Sequence, residues 1–392
     1  MREQFALLPH LLSAHLALSL FSLLAGVSLS VPLGALAARR PWLARLALGA
    51  AALVQTVPGL ALLALMVPLL GALGAAGIGF LPAFLALVLY SLLPVLRNTV
   101  TGLTGLPPEL GEAARGVGMS AWQQFRRVDL PLALPVIVAG IRTAAVWTVG
   151  AATLATAVGA DSLGNFIFSG LQTRNFGAVL LGCAAAAALA LLLDGLGKLL
   201  LTALERRSKA LAAGAASLLV ALYSYAGAAL ALEHGTGTQA LVVGAKTFTE
   251  QYILADLLAD RLRSSTHVPV QVRASLGSTV AFDALERGDL DAYVDYSGTL
   301  WATLLHPGSR APDRAQMLGE IQRFLAPRGI SVLARLGFEN SYAFAMRRAD
   351  AESWKIENLG DLARHSPQLS MGADYEFFAR PEWAALERAY GF

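Results

Sequence analysis

Six long apolar runs, near residues 11–37, 46–70, 78–100, 132–158, 177–203 and 210–232, dominate the first 232 residues. Each holds the roughly 20 residues a helix needs to cross a hydrocarbon core of about 30 Å, so six membrane spans are expected. Composition agrees: 56% of the 392 residues are hydrophobic and 15% are charged, which is too apolar for an ordinary soluble protein. The positive flank of the first run, Arg39 and Arg40, follows the apolar stretch, opposite to the arrangement in a cleaved signal peptide. The single cysteine, Cys183, excludes a disulfide framework. It lies in an alanine-rich run and reads as a packing residue with no redox or metal role.

Residues 1–232 carry 14 Lys and Arg against 7 Asp and Glu, a net +7, whereas residues 233–392 carry 16 against 20, a net −4. The overall charge of +3 is therefore an average over two unlike parts, and the break near 232 reads as a domain boundary. The basic residues fall on alternate connections. Arg39, Arg40 and Arg45 follow the first span, Arg97, Arg115, Arg126 and Arg127 the third, and Arg206, Arg207 and Lys209 the fifth, with Arg174 the exception. Lys and Arg stay preferentially on the cytoplasmic side, so the N-terminus and the chain beyond residue 232 are expected outside.

Within the spans, Pro58, Gly59, Pro68, Pro82 and Pro94 fit either a kinked wall around a pathway or plain packing irregularity. Asp194 and Lys198 stand one turn apart and can pair. Their place reads as the cytoplasmic end of the fifth span, where snorkelling accounts for the charges.

The third and fourth spans are joined by the polar stretch ELGEAARGVGMSAWQQFRRVDLP. Glu112–Arg115 reads as a short helix, Gly116 and Gly118 as a break, and Ala121–Val128 as a second amphipathic piece along the membrane face. Glu112, Ala113, Ala114, Gly118, Leu130 and Pro131 resemble the signature of the integral-membrane subunits of bacterial ABC importers. The resemblance implies a coupling loop at 109–131 that docks in a cleft of a separate ATPase, a permease domain over 1–209, and an additional transmembrane helix over 210–232. The runs VQTVPGLALLALMVPLLG and YSLLPVLRNTVTGL are similar to permeases of the glycine betaine, carnitine and choline branch. The nearest approach to a phosphate-cradling GxxxxGK[ST] loop is GLGKLL at 195–200, which lacks the first glycine and the hydroxyl. No catalytic residue and no cofactor are therefore expected in this chain. ATP and Mg²⁺ would belong to two copies of the ATPase, serving a permease homodimer in the bacterial inner membrane, with no nucleic-acid partner.

After a polar linker at 233–240, LVVGAK reads as a strand, the stretch from Thr249 as an amphipathic helix, VPVQVRAS as a strand, TVAFDALERG as a helix and DAYVDYSGT as a strand closing on a glycine turn. The β-α-β-α-β order is that of an α/β lobe, whose ligands gather at the loops after the strands. GAKTFTEQYIL, LGSTVAFDAL, DAYVDYSGT and LGFENSYAFAMR resemble motifs of the substrate-binding proteins of the same osmoprotectant importers. The expected fold is thus an all-α polytopic permease followed by an α/β periplasmic-binding-protein-like domain over 241–392, with lobe one about 241–340 and lobe two about 341–392. The second lobe reads as C-terminally incomplete, since such a domain returns to its first lobe, and a fragment is the expectation.

A quaternary ammonium has no N–H to donate and is best held over aromatic faces. The resemblance places Tyr296 and Tyr342 in such a cage, Thr299 and Lys246 as polar contacts, Asn340 beside the cage, and Arg380 on the ligand carboxylate. Gln251 and Ser278 are added from loop position alone. Trp301, Trp354 and Trp383 lie outside the matched loops and read as structural, while Tyr375 departs from the family. Two alternatives stay open: the same architecture importing another small zwitterion or amino acid, or a membrane-anchored quaternary-amine sensor. A sensor has no use for a docking loop and is expected to carry an effector domain.

Overall fold

The computed structural model describes residues 2–235, 240–266, 268–305, 313–373, 375–378 and 380–392. The chain divides into two compact units, Met1–Tyr293 and Val294–Phe392. The expected linker falls partly on residues 236–239, outside the described residues, and its first part, through Gly235, continues the preceding helix.

The first unit begins with helices α1 (Arg2–Ala38), α2 (Pro41–Thr56), α3 (Gly59–Ala72), α4 (Phe80–Thr104), α5 (Pro108–Gly116), α6 (Ala121–Gln124), α7 (Leu130–Ala152), α8 (Gly164–Gln172), α9 (Phe176–Glu205) and α10 (Lys209–Gly235). Five of these regions are long and apolar enough to cross a membrane singly. The second expected span is different: α2 and α3 meet at a bend of 101°. Val57, held extended before Pro58 (φ −73°, ψ 125°), ends α2, because a residue preceding proline avoids the helical region. Its freed carbonyl accepts a hydrogen bond from the Tyr90 hydroxyl, and Gln55 donates to the Tyr90 carbonyl at 3.2 Å. That satisfies backbone polarity where lipid offers no partner.

The bent pair nonetheless crosses. The guanidinium of Arg39, just past α1, lies 5.5 Å over the Phe125 ring, while Gly79 donates its N–H to the Val158 carbonyl at 2.7 Å. Phe125 precedes α7 and Val158 follows it, and the 23 residues of α7 span about 35 Å. Residues 40–78 therefore run from the end that carries the 108–129 loop to the far end, which makes six crossings and places the N-terminus and the chain after α10 together at the far end.

Small residues set the closest helix pair. Ser22, Gly26, Ser30 and Gly34 recur at every fourth position of α1 and face α4. The two hydroxyls donate to the Phe84 and Leu92 carbonyls at 3.3 and 3.2 Å. A Cβ at Gly34 would fall 2.7 Å from Thr99 Cβ, so the Thr99 side chain rests directly on the α1 backbone, as in other membrane seams built on small residues.

At the far end the chain forms a parallel three-stranded sheet in the order β2-β1-β3, from β1 (Leu241–Lys246), β2 (Val270–Leu276) and β3 (Ala292–Tyr293). Helices α11 (Thr249–Thr266) and α12 (Ser278–Arg287) make the crossovers. The β-α-β-α-β order matches the sequence expectation, although β3 is short and Ser297–Leu300, expected as its glycine turn, is helical. Leu276 packs in a cluster with Ile78, Ala281, Ala284 and Leu290, which seats the sheet on the α3–α4 connection.

The second unit holds α13 (Ser297–Leu300), α14 (Arg314–Leu325), α15 (Arg348–Trp354), α16 (Leu359–His365), α17 (Tyr375–Phe378) and α18 (Pro381–Tyr390). Asp313 caps α14, accepting from the Ala315 and Gln316 N–H groups, and Met317, Ile321 and Leu325 bury one face. Residues 331–347 form no helix or strand. They lead Tyr342 and Phe344 onto Phe377, at ring distances of 4.9 and 6.3 Å.

Candidate functional site

The loop between α4 and α7 is ordered by its own backbone. Pro108 opens α5, and the Val117 and Met119 N–H groups close it on the Ala113 and Ala114 carbonyls. Gly118 turns the chain at φ +77°, a conformation that costs any residue with a Cβ. Ala114 is buried, whereas Glu112, Ala113 and Gly118 face outward beside the exposed Val117 and Trp122. Ser120 and Gln123 then make a reciprocal capping box that starts α6. The expected second piece over 121–128 is helical, but it does not end before the next span. α6 passes through a π-helical turn at Phe125–Asp129 straight into α7, where Leu130 and Pro131 occupy the first turn.

The first unit carries three of the expected ligand residues. Lys246, at the end of β1, is fully buried with its Nζ 5.7 Å from the centre of the Tyr293 ring. Gln251 is equally buried, and neither atom of its amide has a hydrogen-bond partner among the described residues. Ser278 opens α12 after the φ +64° residue Ser275. The Ser275 hydroxyl is bonded to the Tyr252 hydroxyl at 2.8 Å, and burial pushes the Tyr252 phenol above its ordinary pKa, keeping it neutral.

The second unit carries the other five, and three converge. Arg380, just before α18, donates from Nη2 to the Thr299 hydroxyl at 3.0 Å, and its guanidinium lies 5.4 Å over the Tyr342 ring. Its Nε is buried without a partner among the described residues. Tyr296 caps α13 and meets Phe338 edge-on at 6.2 Å. Asn340 is exposed two residues from Tyr342. Trp383 stacks within the Phe377, Phe378 and Phe392 group, which agrees with a structural role. The side chain of Tyr375 lies outside the described residues.

Residues 30–210 match the family of binding-protein-dependent transport system inner membrane components, and residues 239–392 match the substrate binding domain of ABC-type glycine betaine transport systems. The osmoprotectant import permease protein OsmW of Salmonella typhimurium is 44% identical over 50% of this chain and 91% of its own length. The glycine betaine/carnitine/choline transport system permease protein OpuCB of Bacillus subtilis is 42% identical over 46% of this chain and 80% of its own. This chain belongs to that family of importer permeases. A fused relative, the ergothioneine transport permease/ergothioneine binding protein EgtU of Helicobacter pylori, is 33% identical over 86% of this chain. The chain spans 62% of that relative's length.

The chain thus joins a multi-pass membrane domain to a binding domain, as the two resemblances implied. One membrane feature escaped the sequence reading. Asp194 pairs with Lys198 at 2.9 Å as expected, and also with Arg142 of α7, whose Nε and Nη2 donate to one carboxylate oxygen at 3.0 and 2.7 Å. Asp194 lies 11 residues before the end of α9, about 16 Å along the axis, and is held there by a residue midway along α7. Arg142, a lone charge midway through the fourth apolar run, was the available signal.

Proposed function

We propose that this chain is the membrane subunit of an ATP-driven importer for small trimethylammonium zwitterions of the glycine betaine and carnitine kind, with choline as a carboxylate-free variant. The supporting observation is the convergence of Arg380, Thr299 and Tyr342, with a guanidinium nitrogen buried and unpartnered beside an aromatic face. Such a set offers a cation to a carboxylate and a π-face to a methylated ammonium. Two copies of the chain would work with two copies of a separate ATPase, which supplies ATP and Mg²⁺ chemistry. The α5 loop would receive the push from the ATPase and α7 would carry it across the membrane. The basic flanks favour an inner-membrane orientation with the N-terminus and the binding domain extracytoplasmic.

A second reading is favoured by the fused relative, which carries both halves: the ligand is ergothioneine. That compound is itself a trimethylammonium carboxylate, so the recognition chemistry is shared and the bulk beyond it differs. Calorimetry of the full chain with glycine betaine, choline, carnitine, ergothioneine and an unmethylated amino acid decides. Heat with a methylated compound is expected, and heat with the amino acid alone overturns the proposal.

A further inference from the structure

We propose that the groove between α7 and α9 is a second ligand station, inside the membrane, for the same trimethylammonium zwitterion. This rests on the ligand class assigned above.

Arg142 lies 12 residues into α7 and Asp194 lies 11 residues before the end of α9. At 1.5 Å per residue both sit about 16–18 Å from the loop end, near the middle of a core about 30 Å thick. Charges at that depth belong against a bundle interior or a water-filled cavity. These line an open groove of about 360 Å³ between Ala139, Arg142, Thr143, Val146, Trp147 and Asp194.

The chemistry of the lining is that of a zwitterion site. Arg142 spends Nε and Nη2 on a single oxygen of Asp194 while Lys198 holds the other, so one carboxylate answers two cations. Nη1 of Arg142 has no hydrogen-bond partner among the described residues and is available to an incoming carboxylate. Trp147, 52% exposed, is one turn above Thr143 and supplies an aromatic face to the methylated ammonium. The guanidinium is pre-positioned: a Cβ at Gly197 would lie 2.2 Å from Arg142 Cγ, so the arginine stem rests directly on the α9 backbone. A purely structural staple accounts for the ion pair. The station rests on the indole and the guanidinium nitrogen that share one wall of the groove.

The test uses the full chain with its cognate ATPase in cells, following uptake of labelled glycine betaine and of dimethylglycine, alongside equilibrium binding of both to the purified chain. Trp147→Leu leaves the ion pair intact. It is expected to lower glycine betaine uptake about tenfold and to bring the uptake ratio of the two compounds toward one, with Trp147→Tyr restoring the ratio and outer-domain binding unchanged throughout. Wild-type uptake in Trp147→Leu, or slower uptake with an unchanged ratio, overturns the station and leaves a staple or a packing face. No binding of glycine betaine by the wild-type chain overturns the outer-site reading and this one with it.

Discussion

The Arg273 guanidinium donates to the Asp161 carboxylate at 2.8 Å, joining β2 of the binding domain to the connection between α7 and α8 of the permease. Both side chains are about one-quarter exposed, so the pair is worth about 1 kcal/mol rather than the larger figures of buried pairs. It does not act alone. The Gly77 N–H donates to the Asp289 carboxylate at 3.0 Å, the Thr249 hydroxyl donates to the Gln172 carbonyl at 3.0 Å, and Leu276 is buried against Ile78. The loop that carries Ser278 is therefore continuous with the surface that rests on the permease.

From this it follows that Asp161→Arg should lower the docked population about fivefold, the equivalent of about 1 kcal/mol. The reversed pair Asp161→Arg with Arg273→Asp should restore it. Short-linker cross-linking between cysteines placed at Gln172 and Thr249, in a Cys183→Ser background, reads the docked fraction. Equal yields in the wild type and both variants would show that the ion pair does not hold the domain in place.

The α1–α4 seam makes a stability prediction. A methyl at Gly34 must displace Thr99, whose Cβ and Cγ2 both lie 2.7 Å from the added atom. Gly34→Ala should destabilise the detergent-solubilised chain by about 1–3 kcal/mol, the usual cost of overpacking. Thr99→Ala in the same chain should recover much of that, because it vacates the colliding atoms. Thermal unfolding of the single and double variants measures the coupling, and additive losses would contradict the geometry.

Continuous apolarity made the spans legible, because it is a property of composition. The break at Val57–Pro58 was not, since Pro32 and Pro94 sit inside unbroken helices. What distinguishes Pro58 is Tyr90, 32 residues away, which takes up the freed carbonyl. The repeat of small residues at 22, 26, 30 and 34 was visible in principle and is the seam's cause. In the binding domain, the succession of strands and helices could be read from the sequence pattern, and Thr299, Tyr342 and Arg380 were picked out by motif position. That Arg380 bonds Thr299 across 81 residues depends on tertiary packing, as does the pairing of Arg142 with Asp194.

The α5 loop predicts a separation of binding from transport. Gly118 adopts φ +77° and has open space where a Cβ would go, so Gly118→Ala costs conformational strain of about 1 kcal/mol and nothing in packing. On the proposed coupling role, the strain falls on the turn that would orient α5 against the ATPase. Uptake should fall severalfold, while the calorimetric affinity of the full chain for its ligand stays at the wild-type value. Parallel loss of both would place the loop's role elsewhere.

The sharpest test of the outer site uses two ligands that differ in one group. Glycine betaine and choline share a trimethylammonium head, but choline has a hydroxyl where glycine betaine has a carboxylate. If Arg380 receives that carboxylate, Arg380→Ala removes a charge-assisted contact worth about 1.5–3 kcal/mol. Glycine betaine affinity should then fall between about tenfold and 150-fold, with choline changing little. Tyr342→Leu takes away the aromatic face and should weaken both ligands together, whereas Tyr342→Phe keeps the face and should weaken neither. Calorimetry on the three variants with both ligands gives six affinities. An Arg380→Ala chain that loses choline and glycine betaine equally would show that Arg380 only supports Tyr342, over whose ring it lies, and does not touch the ligand.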